Sequence, residues 1–234
     1  HGGYDATCTS AGGAVTRVEG AMGTGSTVQV NGGTVVLKDL ELAWGAGFGG
    51  GLLTSNGARV TLDDTTIHEN HGSYGGGIYV GSGTTVTFTN ESGIINNTAS
   101  LYGGGARVWG TLVGLDTYSD VSYNCAAHGG GVSLKTGTLL LDASDMQGNE
   151  AAELDGKGGG IHAEGGASVG LSGNAWVYHG SAYDGGGFYL DGSTADLTYA
   201  VVAGNAAEQD GGGVNLTNGS TLTGSSLTAI GKSG

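Results

Sequence analysis

Side chains able to stack, donate protons and titrate recur at fixed offsets from a repeated marker. The marker is the triplet Gly-Gly-Gly, which begins at Gly49, Gly75, Gly103, Gly129, Gly158, Gly185 and Gly211. Just before the triplets stand Phe48, Tyr74, Tyr102, His128, Lys157, Asp184 and Asp210. Two residues after them come Leu53, Tyr79, Arg107, Ser133, His162, Tyr189 and Asn215. Four residues after them come Ser55, Gly81, Trp109, Lys135, Glu164, Asp191 and Thr217. These 21 positions of 234 carry three of the seven Lys/Arg, two of the six His and six of the 16 aromatic residues. The offsets therefore concentrate the groups that could do chemistry.

Rings repeated at even steps make a platform for sugar rings, and charged neighbours add hydrogen bonds and orientation. On that reading the ligand contacts are Tyr79, Arg107, Trp109, Lys135, His162, Glu164, Tyr189 and Asp191. The blander reading needs no ligand. Outward strand positions favour Tyr, Trp and Thr, and Lys135 over Glu164 is then a stabilising cross-strand pair. Strand propensity does not explain the histidines and basic residues. Asp184 and Asp210 fall in one column in adjacent repeats, which sets their carboxylates about 5 Å apart, the spacing of a retaining glycosidase pair. The same pair suits two ligands of a hard cation such as Ca²⁺, or a run neutralised by Lys157. No catalytic residue and no cofactor is assigned beyond these two weak carboxylate candidates. The triplets are not phosphate loops, because no Gly-Lys-Ser/Thr follows a strand and opens a helix. The sequons at Asn90, Asn96, Asn215 and Asn218 matter only in a eukaryotic secretory host.

The elements that must position these groups follow from the intervals between triplets, which are 26, 28, 26, 29, 27 and 26 residues. Such self-similarity marks a stacked repeat. Each triplet leads into an apolar-x-apolar run such as Ile78-Tyr79-Val80 or Val132-Ser133-Leu134, the period of a strand with one face buried. Within one interval the pattern occurs three times, as in Ile78 to Val80, Val86 to Phe88 and Ile94-Ile95. One interval is thus one coil, and each strand pairs with its counterpart ~4.8 Å along the axis. With 53 glycines and no i, i+3, i+4 apolar stripe, a helical reading fails. The expected fold is all-β: a right-handed parallel β-helix of about eight three-stranded coils, its hand taken from the right-handed crossover rule.

Residues 1–25 are expected to form a leading irregular coil or partial cap, and residues 26–234 the β-helix. A start at His1 without a leader and an uncapped end at Gly234 suggest a piece of a longer chain. Asn70, Asn97, Asn124, Asn149 and Asn205 share one turn and should stack as an amide ladder, with His179 in the sixth coil's place. Ala99, Ala126, Ala151 and Ala207 follow two residues on as small inward residues. The second strand's outward column reads Thr61, Thr87, Val113, Leu140, Gly170 and Thr198, a bland face. Cys8 and Cys125 lie about four coils apart, or ~19 Å, which favours two separate thiols over a disulfide unless the leading segment folds back along the stack.

Asn-x-Ala followed shortly by Gly-Gly-Gly-(Ile/Val/Ala), repeated over residues 26 to 230, resembles the right-handed parallel β-helix proteins of the pectate-lyase-like superfamily. It is most similar there to polymorphic outer-membrane proteins and autotransporter-type passenger domains. This chain carries Gly-Gly-Gly where that family has Gly-Gly-Ala, and lacks a consistent Phe three before the Asn. The resemblance implies a bacterial, secreted or cell-surface protein. The same superfamily holds lyases, hydrolases and epimerases, so fold does not settle function.

Composition narrows the partners. The net charge of −14 argues against nucleic acid and anionic membrane, and no apolar run approaches the length of a membrane span. Proline is absent, as suits strands paired on both sides. The expected function is binding or adhesion toward a polysaccharide or a host or cell-surface protein. A carbohydrate-active enzyme using the triplet-side face is the alternative, and a structural stalk the third.

Overall fold

The computed structural model describes residues 16–230 apart from 22, 24, 226 and 227. The expectation for Cys8, and most of that for the leading coil of residues 1–25, lies outside these residues. Among the described residues every regular element is a strand. The strands form three parallel sheets of fifteen, eight and six strands. Neighbours in each sheet are counterparts from successive coils, so the chain is a right-handed parallel β-helix of about eight turns.

The eight-stranded sheet runs from Val28–Asn31 to Val214–Thr217 and holds the strand that follows each triplet. The fifteen-stranded sheet holds the second and third strands of each coil, which are continuous in the ten-residue strands Thr34–Ala43 and Arg59–His68. The six-stranded sheet is made of short strands between the asparagine and the next triplet, from His71–Tyr74 to Ala206–Ala207. Its strands have two to five residues. They form the corner beside the triplet.

Alternation places one set of side chains inside. Leu52, Ile78, Ala106, Val132, Ile161 and Phe188 stack in register on the first strand and are fully buried. Val60, Val86, Leu112, Leu139 and Val169 do the same on the second. Ile67, Ile94, Val121, Met146 and Val177 do so on the third. Each large side chain contributes roughly 1.5–3 kcal/mol of burial, set against the entropy of ordering the chain.

The asparagine ladder forms. Asn97 Nδ2 donates to Asn124 Oδ1 at 3.1 Å and to the Ile67 carbonyl at 2.8 Å. Asn124 Nδ2 donates to Asn149 Oδ1 at 3.1 Å and to the Ile94 carbonyl at 2.8 Å. The sixth coil corrects the sequence expectation. Ser181 pairs with Ala206, so the counterpart of Asn205 is Gly180, whose N–H donates to Asn205 Oδ1 at 2.8 Å. His179 instead holds a left-handed backbone (φ 54°), as do Asn96 and Tyr123 in the same turn. Ala99, Ala126 and Ala151 are buried as expected, whereas Ala207, on the last strand of its sheet, is only half-buried. The bland column is also corrected at its end: Gly170 pairs with Asp196, not Thr198.

The triplets fit this ladder. From the second triplet onward the first glycine takes a positive φ, 71° at Gly75 and 69° at Gly103. The other two meet the next coil: a Cβ on Gly104 would lie 2.4 Å from the Cys125 carbonyl oxygen and 2.5 Å from that of Gly130. Cys125 itself carries a free, half-buried thiol.

Asn124 accepts the Asn97 N–H at 2.9 Å and is 1% exposed, so its removal strands buried groups on both neighbours. Asn124→Ala is expected to cost about 3 kcal/mol, since each buried orphan costs roughly 1–3 kcal/mol. Urea unfolding checks this, and a loss under about 1 kcal/mol would make the ladder incidental.

Candidate functional site

The corner strands His71–Tyr74 and Thr98–Tyr102 end on the residue before the triplet. Later coils pair that residue through the bridges Tyr102–His128 and Lys157–Asp184, and the next strand begins just after each triplet. Two columns therefore run side by side on this edge. In the first, the rings of Phe48 and Tyr74 stack at 5.1 Å, Tyr74 and Tyr102 at 6.0 Å, and Tyr102 and His128 lie 5.2 Å apart. In the second, Leu53, Tyr79, Arg107, Ser133, His162, Tyr189 and Asn215 pair in unbroken register. The register that counting from the triplets suggests is the register found.

Exposure is where the arrangement differs from a simple outward row. Arg107 is 3% exposed, His162 5% and Tyr189 8%. They point away from the apolar interior, but the neighbouring column roofs them. The Tyr102 ring lies 4.5 Å from the Arg107 guanidinium carbon and 6.1 Å from the His162 ring. His128 lies 5.7 Å from His162, and Lys157 Nζ 5.0 Å from the Tyr189 ring.

Beneath the roof the polar groups are joined. Arg107 Nη2 donates to Glu164 Oε1 at 3.0 Å, and Nη1 donates to Ser133 Oγ. Ser133 Oγ lies 3.3 Å from His162 Nδ1. Lys135 Nζ is 3.6 Å from the same Glu164 oxygen. Burial pushes the Glu164 carboxyl up, but the Arg107 hydrogen bond and the nearby positive charges outweigh it and hold the group below the usual range. Burial drives His162 down to about 4; Glu164 opposes this, while His128, Arg107 and Lys157 add to it. His128 is lowered too, chiefly by burial.

The face opens at its aromatic end. Phe48 is 55% exposed and Trp109 36%, and these two with Tyr74, Tyr79 and Arg107 line a cleft of about 200 Å³. Phe48 meets Tyr79 edge-on at 5.7 Å, and the Arg107 guanidinium lies 5.8 Å from the Trp109 ring. Burial raises the Tyr79 hydroxyl's pKa.

The structure thus joins Tyr79, Arg107, Trp109, Lys135, His162, Glu164 and Tyr189 through ring contacts and ion pairs. Asp191 pairs with Glu164 along the sheet, while its carboxylate accepts from Asn218 Nδ2. Asp184 and Asp210 do lie in neighbouring coils, and Asp184 Oδ1 accepts the backbone N–H of Asp210 at 3.2 Å. Among the described residues no group of three His, Cys, Asp or Glu is arranged to hold a metal ion. Sequence reasoning gave no contact role to Phe48, Tyr74, Tyr102 or His128, although the residue before each triplet was the signal. Comparison of the chain with protein-family models, curated proteins and solved structures found no match.

His162 gives this network a pH dependence. Its folded pKa of about 4 lies below the ordinary 6.5, so the unfolded chain binds the proton more readily. The stability it contributes is full above about pH 6.5 and is lost as pH falls toward 4, a change of roughly 3 kcal/mol at 1.36 kcal/mol per unit. Glu164, with its depressed pKa, acts in the same direction at lower pH. Urea midpoints should fall between pH 7 and 5, and His162→Gln should flatten much of that slope. An unchanged slope in the variant would assign the effect to other groups.

Proposed function

We propose that this β-helix is a recognition module of a secreted or cell-surface bacterial protein, and that it binds polysaccharide along the triplet-side edge. The observation that carries the reading is the open aromatic cleft of Phe48, Tyr74, Tyr79 and Trp109 over a fixed guanidinium. Sugar rings present C–H faces that lie on aromatic rings, and hydroxyls that accept from a cation. Arg107 is held in advance by Glu164 and Ser133, so little ordering is needed when a ligand arrives. Coil spacing adds a repeat: rings displaced by ~4.8 Å per turn match a ligand that is itself a chain of similar units.

The kinship with autotransporter-type passengers and the pectate-lyase-like superfamily belongs to this proposal, on the strength of the asparagine and glycine repeat. Asp184, engaged with the Asp210 backbone, favours recognition over turnover. A host or cell-surface protein is the other class of partner, through glycans or directly.

The test is binding of the purified chain to a panel of neutral and acidic polysaccharides by affinity electrophoresis and calorimetry, with products assayed in parallel. Phe48→Ala/Trp109→Ala should weaken binding at least about ten-fold, equivalent to ~1.4 kcal/mol. Both residues are exposed, so unfolding free energy should shift by no more than about 1 kcal/mol. Unchanged binding in the double variant would remove the cleft from consideration. New reducing ends or unsaturated products, abolished by Asp184→Ala, would replace recognition with catalysis.

A further inference from the structure

A second concavity lies on the outer face of the fifteen-stranded sheet, on different strands from the aromatic edge. Its floor is the column Val113, Leu140 and Gly170, paired in register in successive coils. Leu140 is 44% exposed and Leu115, at its side, 51% exposed. The hollow exists because residue 170 has no side chain: a Cβ there would lie 2.9 Å from Leu140 Cδ2. The groove holds about 320 Å³, near the lower bound for a small-ligand site, which suits one extended side chain better than a polymer.

Its charge has one sign. Asp196 follows Gly170 in the same column, and Asp142 stands beside Leu140 at the groove's edge. Both are exposed, and no Lys, Arg or His lines the groove. Asp142 Oδ1 accepts from Ser172 Oγ at 3.0 Å, and Asp196 Oδ1 accepts from Thr198 Oγ1 at 2.8 Å. These contacts orient each carboxylate through one oxygen.

We propose that this groove receives the side chain of a lysine or arginine presented by a partner polypeptide. The methylene stem lies along Leu140 and the open space over Gly170, and the charged head reaches the carboxylates. Such side chains bury their stems on apolar surface while the head stays polar. From Leu140 to Asp196 is two coils, roughly 10 Å along the axis, within reach of a long basic side chain and its backbone. The net charge of −14 draws such a partner in.

The experiment titrates the isotope-labelled chain by NMR with four blocked tripeptides, Gly-X-Gly, in which X is lysine, arginine, norleucine or glutamate. Saturable shifts are expected at the amides of 140–142, 170–172 and 196–198. Lysine and arginine should bind at least about five-fold tighter than norleucine, which keeps the stem and loses the charge. Asp142→Asn/Asp196→Asn should weaken the lysine peptide by about five-fold or more, and Asp64→Asn/Asp155→Asn, which removes the same net charge elsewhere, by less than about two-fold. Equal binding of norleucine, equal loss in the control pair, or shifts on another face would overturn the proposal. So would movement of the same amides with protein concentration alone, which would make a second copy of this chain the occupant.

Discussion

The coils of this β-helix close where a buried asparagine, replaced in the sixth coil by Gly180, meets the glycines that opened the same coil, and the rest of the structure depends on that contact. Asn97 shows why neither partner can vary alone. Its amide donates to two carbonyls and to the next asparagine, and its Oδ1 accepts the Asn70 N–H at 3.1 Å. A Cβ on Gly77 would lie 2.9 Å from Asn97 Nδ2 and 2.7 Å from the Gly105 carbonyl oxygen. A side chain there would push the ladder and the next coil apart together. The amide bonds are worth having because the groups they satisfy are out of water, where an orphan is costly.

Fixing that corner fixes what stands on either side of it. The residue before each triplet and the residue two beyond it are the nearest outward positions to an invariant turn, so they superpose coil upon coil. Residues distant in sequence become neighbours: Arg107 reaches Glu164 across 57 positions. The corner also brings the two columns so close that one covers the other. Aromatic rings supply the cover without needing hydrogen bonds from what lies beneath, and the Tyr102 face suits the guanidinium below it. A cation that would otherwise be costly to bury is thereby held by a carboxylate, a hydroxyl and a ring.

The register of these columns was legible because it depends only on counting from the glycines. Leu53 through Asn215 fall in one line in the sequence and in the sheet. The second strand was less legible, since the turn before it differs between coils: the first strand ends at Val80, Val108, Lys135, Glu164 and Asp191, and the second begins at Thr85, Thr111, Thr138, Ser168 and Thr194. Counting through a turn of changing length is how Thr198 was aligned where Asp196 stands. His179 was assigned to the ladder for a related reason, since Gly180 presents a backbone N–H where other coils present an amide. Burial of Arg107 and His162 was not legible at all. Period two tells inside from outside, but not whether an outside residue is roofed by the adjoining strand.

The few cations of this chain are also placed with consequence. Arg17 pairs with Glu41 at 2.8 Å and Lys38 with Asp63 at 2.6 Å. Arg107 and Lys135 share Glu164, and Lys157 lies over Tyr189. Among the described residues five of the six Lys and Arg are therefore engaged locally, and most of the Asp and Glu have no cation to face. The field toward solvent is then dominated by carboxylates, as at the groove beside Leu140, where Asp142 and Asp196 line the surface without a cation. The aromatic edge differs because Arg107 and Lys135 share the Glu164 carboxylate, so much of its charge is paired beneath the rings. One solenoid thus carries an aromatic edge with paired charges along the triplets and an acidic apolar groove on another sheet. The first follows from the outward positions the asparagine corner holds in line, the second from the absent side chain at Gly170, which leaves space beside Leu140 in an otherwise regular column.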